Sequence, residues 1–232
     1  MKVKMHRRRF IQSIIWGIVS GIMPVAVFAN RTRISLPRVL IIGDSISIGY
    51  TPFVVQMLYG KAEVVHNEGN AQHTATGLKM IDEWLGNTRW DIIHFNWGLW
   101  DLAYRSTSSK VYGNRDKVNG TLTHSLEEYG KNLNRLVERL QKTNAKLIWA
   151  NTSPVPPGEA GRISGDAMKY NAVAEDIMER NNIPINDLYS YMINHMDKYQ
   201  IKYGDVHFTE EGYKFLAKEV VKYIEIEISI LT

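Results

Sequence analysis

The chain has 232 residues, of which 44% are hydrophobic and 22% are charged, and it contains no cysteine. This length fits one full-sized domain. The composition is that of a globular protein, which excludes the collagen-like, disordered and multi-pass membrane classes. The lack of cysteine excludes disulfides, thiolate catalysis and zinc sites with sulfur ligands.

The formal net charge of +4 comes from the extreme N-terminus. Five basic residues and no acidic residue lie within the first nine positions: Lys2, Lys4, Arg7, Arg8 and Arg9. The rest of the chain has 23 basic and 24 acidic residues. Because no basic domain remains to neutralise phosphates, the charge pattern argues against a nucleic-acid partner.

Residues 1–29 have the pattern of an export signal. The basic residues precede an apolar stretch that ends in Val-Phe-Ala, with small residues where a signal peptidase reads, so we expect cleavage after Ala29. The three arginines followed by Phe10 also resemble a twin-arginine signal. An uncleaved anchor is the alternative, but the apolar run is shorter than the about 20 residues that a spanning helix needs. The sequence therefore predicts a periplasmic or extracellular chain, residues 30–232, without a membrane span.

From residue 37 onward, short apolar runs alternate with amphipathic stretches, which is typical of an α/β domain with a mainly parallel sheet. Five strands are predicted, at 39–42, 63–66, 91–95, 146–150 and 183–185. Five helices are predicted, at 52–59, 74–85, 126–142, 166–180 and 210–228. Two polar segments, 102–123 and 153–165, are predicted to be surface loops that border a binding site.

Polar segments follow four of the predicted strands: Gly43-Asp44-Ser45, Asn67-Glu68-Gly69-Asn70, Asn96-Trp97-Gly98 and Asn151-Thr152-Ser153. In an open parallel sheet, ligands bind beyond the carboxyl ends of the strands. The first segment presents the Ser45 hydroxyl at this edge, with its backbone N–H directed into the same space. A serine acts as a nucleophile only when a base lies within hydrogen-bond reach.

His207 is the best candidate for that base. Asp205 lies two residues earlier, and residues i and i+2 of an extended segment face the same side, so its carboxylate can hold the imidazole. A surface turn with a chance histidine is the alternative. His94 is predicted to be a core residue. The other histidines of the mature chain have no acidic partner at a suggestive spacing: His66, His73, His124 and His195.

Together these residues resemble the four ordered sequence blocks of the SGNH/GDSL hydrolase family. The blocks are Gly43-Asp44-Ser45, Gly69 after the second strand, an Asn and a Gly after the third, and Asp205 with His207 before the last helix. The resemblance covers about residues 38–225. It implies a flavodoxin-like three-layer sandwich around a five-stranded, mainly parallel sheet. It also implies a serine esterase, lipase or acetyl esterase, often active on carbohydrates, that requires no metal or cofactor.

The resemblance also implies roles for individual residues. Ser45 would be the nucleophile, His207 the general base, and Asp205 the residue that orients the base. The N–H groups of Ser45 and Gly69, with one asparagine side chain, would form the oxyanion hole. We take Asn96 as that asparagine.

The choice of Asn96 follows from a departure in the third block. The family usually has Gly-x-Asn-Asp, whereas Trp100 stands at the Asn position here and Asn96 carries the nearby amide. Removing one oxyanion donor costs about 10²-fold or more in rate, so an active enzyme is expected to have a replacement. A simple strand-end cap is the alternative role for Asn96.

A second departure concerns the acid of the triad. The family's Asp normally lies three residues before the His, where this chain has Gly204. Asp205 is our assignment for the acid, and a backbone carbonyl or Asp187 are the alternatives.

Candidate substrate contacts are Asp44, Trp97 and Trp100. Aromatic rings after the third strand offer stacking faces for sugars, although packing alone also explains such residues. Our main hypothesis is an exported serine esterase that removes an acyl group, acetyl above all, from a glycan or a small-molecule ester. An acyltransferase with the same Ser and His, and a catalytically inactive glycan-binding protein of the same fold, are the alternatives.

Overall fold

Short, mostly apolar runs form the central strands, as expected where helices cover both faces of a parallel sheet. The computed structural model describes residues 35–231, so the predicted signal segment lies outside the described residues. The strands within this part are β1 (Arg38–Ile42), β2 (Glu63–His66), β3 (Ile92–Phe95), β4 (Tyr104–Arg105), β5 (Thr121–Leu122), β6 (Lys146–Ala150) and β7 (Ile185–Asn186).

The helices of the described part pack in two groups. They are α1 (Ser45–Met57), α2 (Thr74–Leu85), α3 (Leu126–Gln141), α4 (Asp166–Arg180), α5 (Leu188–Ile193), α6 (Met196–Tyr199) and α7 (Glu210–Leu231). Helix α7 packs against α1, α5 and α6, whereas α3 packs between α2 and α4. Helix α3 shows why the sequence folds this way: apolar residues at helical spacing, including Tyr129, Leu133 and Leu136, are fully buried. None of the described helices is long and apolar enough to cross a membrane.

Five strands form one parallel sheet in the order β2-β1-β3-β6-β7. This confirms the predicted α/β fold and its five-stranded sheet. Strand order reverses between β1 and β3, and ligands of such sheets bind at the carboxyl ends of the strands beside this point. Strands β4 and β5 pair separately as a small antiparallel hairpin within the predicted loop 102–123.

Helix α1 begins at Ser45, seven residues earlier than predicted. Proline favours the first turn of a helix, so the sequence pattern placed the start at Pro52, which instead lies inside α1. The true start is fixed by Asp44, whose side chain accepts the Ile46 N–H at 2.9 Å as an N-cap. The nucleophile candidate is therefore the first residue of a helix.

Candidate active site

Ser45 and His207 lie within hydrogen-bond distance of each other. His207 Nε2 is 2.9 Å from Ser45 Oγ, although 162 residues separate them in the chain. Ser45 begins α1 directly after β1, and His207 lies just before α7. Because α1 and α7 pack side by side, the two side chains meet at the predicted edge of the sheet.

Asp205 orients the imidazole. Its Oδ1 lies 2.6 Å from His207 Nδ1 and also accepts the backbone N–H of His207 at 3.0 Å. Burial raises the pKa of Asp205, but the hydrogen bonds from His207 outweigh it and hold that pKa below its usual value. An ionised carboxylate at Nδ1 keeps the proton on that nitrogen, which leaves Nε2 free to accept the Ser45 proton.

The position of this acid has a steric reason. Gly204, where the family usually has Asp, adopts the left-handed backbone conformation with φ of +72°. A Cβ atom there would lie 2.7 Å from the carbonyl oxygen of Gly158. A side chain therefore does not fit at 204. The alternative acid, Asp187, is engaged elsewhere, because it caps α5 by accepting the Ser190 N–H at 3.0 Å.

The backbone donors predicted for the oxyanion hole lie on two segments that are tied together. The Asn67 side chain accepts the Gly43 N–H, and the Ala71 N–H donates to the Gly43 carbonyl, both at 3.0 Å. Ser45 N–H is in the first turn of α1, where backbone N–H groups have no partner within the helix and attract negative charge. Gly69 has a φ of +69°, which glycine adopts readily.

Asn96 does not face this site, contrary to our prediction. Its Nδ2 donates to the Ala150 carbonyl at 2.7 Å, at the end of the neighbouring strand β6. It lines a separate, smaller cavity together with Asn151 and Ser153. The physical reason is that the amide satisfies a strand-end carbonyl, so the strand-end cap that we considered as the alternative is the observed role.

Ser45 and His207 open onto a pocket of about 70 Å³, which we call the Ser45 pocket. Its lining comes from the ends of β1, β2 and β3, from the two long loops and from the segment before α7: Asp44, Ser45, Asn70, Leu99, Trp100, Arg105, Tyr112, Gly113, Arg115, Arg162, Val206 and His207. Of the predicted substrate contacts, Asp44 and Trp100 line this pocket. Trp97 does not, because it is fully buried and its indole N–H donates to the Ala71 carbonyl at 3.3 Å.

Arginines form one wall of the Ser45 pocket. The Arg105 guanidinium lies over the Trp100 ring, with its Cζ 4.3 Å from the ring centroid. Arg115 and Arg162 both bind the buried carboxylate of Glu159, Arg162 at 2.9 Å. Burial lowers the pKa of Arg162 to about 10, opposed by Glu159. The Trp100 face next to Arg105 is therefore covered by a cation.

Asp44, the residue before Ser45, contributes a buried carboxyl group to the site. Its carboxyl group is buried, and burial raises its pKa, opposed by the hydrogen bond from the Ile46 N–H and by the charges of Arg162 and His207. The Oδ2 atom has no hydrogen-bond partner within the described residues. Asp44 thus acts on Ser45 chiefly by fixing the first turn of α1.

Two histidines outside the triad, His94 and His124, lie in different environments. His94 is fully buried, as predicted, and burial lowers its pKa to about 3. His124 has an acidic partner that sequence spacing did not indicate: its Nδ1 lies 2.7 Å from Asp101 Oδ1, and this bond raises the pKa of His124. The β4–β5 hairpin brings the two residues together across 23 positions.

Among residues 35–231, no cluster of three or more His, Asp or Glu side chains has the geometry to hold a metal ion.

A model of the GDSL-like lipase/acylhydrolase family matches residues 41–215. The chain belongs to this family. The matched region runs from β1 into α7 and so includes both Ser45 and His207. As a member of the GDSL family with this geometry, the protein is a serine ester hydrolase.

Solved structures of esterases and acylhydrolases share the fold. An acetyl xylan esterase named AlAXEase aligns with a TM-score of 0.63 at 17% identity, over 81% of this chain and 99% of that one. A lipase/acylhydrolase from Enterococcus faecalis aligns with a TM-score of 0.67 at 18% identity, over 82% and 96%. A single-residue variant of Axe2, an acetyl xylan esterase from Geobacillus stearothermophilus, aligns with a TM-score of 0.66 at 19% identity, over 84% and 95%. A search of curated protein sequences gave no significant match.

Proposed function

We propose that the protein hydrolyses short-chain carboxylic esters, acetyl esters foremost, through an acyl-enzyme on Ser45. The observation that carries this proposal is the chain of contacts from Asp205 to His207 to Ser45, at 2.6 Å and 2.9 Å. This is the arrangement that makes a serine hydroxyl nucleophilic.

The reaction follows from these contacts. Ser45 Oγ attacks the ester carbonyl carbon while His207 Nε2 takes the hydroxyl proton, and the carbonyl oxygen becomes an oxyanion beside the Ser45 and Gly69 N–H groups. The C–O bond to the alcohol then breaks, and His207 gives its proton to the leaving alkoxide. Water, deprotonated by His207, attacks the acyl-enzyme and releases the carboxylic acid and free Ser45.

The size of the Ser45 pocket supports a short acyl group. A single water molecule needs about 10–15 Å³, so a pocket of about 70 Å³ holds only a few heavy atoms. The walls formed by Leu99, Trp100 and Val206 are apolar, which suits a methyl or short alkyl group. A longer acyl chain would extend beyond these walls into solvent.

The rim of the pocket supports a carbohydrate as the alcohol portion. Tyr112 lines the pocket and is 81% exposed, so its ring is available for stacking against a sugar. Two of the similar structures described above are acetyl xylan esterases. We propose an acetylated glycan or small sugar ester as substrate, and the N-terminal sequence pattern supports export to the periplasm or beyond.

The test is hydrolysis of 4-nitrophenyl acetate and 4-nitrophenyl octanoate by the purified protein. We expect kcat/KM to be at least tenfold higher for acetate, and Ser45→Ala and His207→Ala to reduce it by about 10³-fold or more. Ser190→Ala and His195→Ala are matched controls, because both residues are exposed and lie outside the pocket. Full activity in Ser45→Ala would refute the proposal.

Covalent chemistry at Ser45 can be tested separately. A fluorophosphonate probe should label the wild-type protein and fail to label Ser45→Ala. Lack of labelling in the wild type would favour an inactive glycan-binding protein. Acetyl transfer to an added xylobiose acceptor that outruns hydrolysis would favour an acyltransferase.

A further inference from the structure

We propose that the side-chain amide of Asn70 is the third donor of the oxyanion hole. The inference rests on the proposed esterase function and identifies a catalytic residue for it. The need for such a residue arises because Trp100 occupies the family's Asn position and the Asn96 amide is bound to the Ala150 carbonyl.

Asn70 is held beside the nucleophile by its neighbour in the chain. Ala71 is fully buried, donates its N–H to the Gly43 carbonyl at 3.0 Å and accepts the Trp97 indole N–H at 3.3 Å. Consecutive Cα atoms are about 3.8 Å apart, so this anchor fixes Asn70 next to the segment that carries Ser45. Accordingly, Asn70 lines the Ser45 pocket, and it is half-buried.

A hydrogen bond from the Gln72 backbone fixes the orientation of the Asn70 amide. Its Oδ1 accepts the backbone N–H of Gln72 at 2.8 Å, and only the oxygen of the amide can accept. This contact with the backbone two residues further along the chain is a common local arrangement of asparagine side chains, and it fixes the amide within its own loop. With Oδ1 engaged, the two Nδ2 protons lie at the opposite end of the amide and have no acceptor within the described residues.

Together these observations make Asn70 a suitable hydrogen-bond donor to the oxyanion. Asn70 lies on the pocket wall with its Oδ1 engaged and its Nδ2 available to donate, on the same loop as the Gly69 N–H and next to the segment that carries the Ser45 N–H. A donor that is held in place before the reaction needs no reorganisation when the negative charge develops.

Two variants separate a catalytic role from a structural one. Asn70→Ala removes both the amide donor and the oxygen that binds Gln72, whereas Asn70→Asp keeps an oxygen for Gln72 and replaces the donor with a second acceptor. We expect both to lower kcat for 4-nitrophenyl acetate by about 100-fold with little change in KM, and Asn70→Asp to be at least as impaired as Asn70→Ala. Recovery of activity in Asn70→Asp would overturn the proposal, because it would show that only the turn matters.

Control variants distinguish a failure of the Asn70 inference from a failure of the proposed esterase function. Asn134→Ala, on the outer part of α3, is the matched control and should retain wild-type activity. The inference fails, and the esterase function stands, if the wild type shows Ser45-dependent hydrolysis but Asn70→Ala lowers kcat less than threefold. The same holds if Asn96→Ala lowers kcat more than Asn70→Ala does. If the wild type shows no Ser45-dependent hydrolysis, the function itself fails. Thermal melting of each variant confirms that the fold is intact.

Discussion

One carboxylate oxygen of Asp205 binds both the imidazole and the backbone N–H of His207, at 2.6 Å and 3.0 Å. The acid and the base are thus locked together within three consecutive residues, before any contact with the rest of the site. The backbone N–H of Ile201 donates to the His207 carbonyl at 3.0 Å, which anchors the pair to the preceding segment. The geometry of the base therefore depends on a local turn that ends at α7.

Asp205→Asn is expected to reduce kcat/KM by at least about 100-fold. An amide at this position can donate to Nδ1, which places the imidazole proton on Nε2 and stops His207 from accepting the Ser45 proton. Steady-state hydrolysis of 4-nitrophenyl acetate measures the effect. Asp187→Asn is the matched control and should stay near wild-type activity, because Asp187 caps α5. A larger loss in Asp187→Asn would show that the acid of the triad was assigned wrongly.

Gly204→Ala is expected to lower the free energy of unfolding by about 2 kcal/mol or more, because it combines backbone strain with a contact of 2.7 Å to the Gly158 carbonyl. Gly60→Ala is matched in conformation, with a φ of +75°, but has open space around the new methyl group. It should cost about 1 kcal/mol. Urea unfolding measures both variants. Equal costs would mean that the Gly158 contact relaxes without penalty.

The same contact predicts the result of moving the acid. Gly204→Asp combined with Asp205→Ala restores the usual family spacing, yet we expect it to remain inactive, because the Asp side chain has no space at 204. Hydrolysis of 4-nitrophenyl acetate by the double variant, compared with Asp205→Ala alone, is the measurement. A tenfold recovery would contradict the steric explanation for the shifted acid.

Glu159→Gln is expected to lower the free energy of unfolding by about 3–5 kcal/mol, since it leaves the buried Arg162 guanidinium without its counter-charge. The pocket wall that Arg115 and Arg162 form should loosen as well, which raises KM. Asp176→Asn breaks the exposed ion pair with Arg180 and should cost no more than about 0.5 kcal/mol. Chemical denaturation of the two variants, side by side with the wild type, tests this difference.

Because His94 is buried, we expect the free energy of unfolding to decrease at acidic pH. The pKa of His94 in the folded protein is about 3 because of burial, whereas an unfolded chain has the ordinary value of 6.5. Between these values the unfolded chain binds a proton that the folded protein does not bind, so stability falls as pH decreases from about 6.5. The contribution is about 1.4 kcal/mol per pH unit. Replacement by Leu should flatten this part of the pH–stability curve by about one proton, and an unchanged slope would contradict the assignment.

The parts of the fold that the sequence predicted are those set by local periodicity. The apolar run of β1 and the helical spacing of α3 are visible without knowing any tertiary contact. The start of α1 was missed because the cap at Asp44 carries a weaker pattern than Pro52. The contact between His124 and Asp101 was missed because the β4–β5 hairpin creates it across a distance in sequence.

The site was predictable where residue order alone defines a role, as for Ser45 and His207. The site was not predictable where the role of a side chain depends on which hydrogen-bond partner the fold places beside it. Asn96 and Asn70 both follow strands of the sheet, and only the structure reveals that Ala150 engages the first amide. Trp97 is a wrong prediction of a substrate contact, because an aromatic residue after a strand has the same sequence pattern whether it is buried or exposed.

Asp101 accepts hydrogen bonds from the Thr74 N–H at 3.0 Å and from His124 at 2.7 Å, and the Leu102 N–H donates to the Gly98 carbonyl at 3.0 Å. The chain on both sides of Trp100 is thereby secured through atoms other than the indole. Residue 100 is consequently a suitable position for a saturation library: smaller side chains there should widen the cavity and extend selectivity to bulkier acyl groups without disturbing the frame.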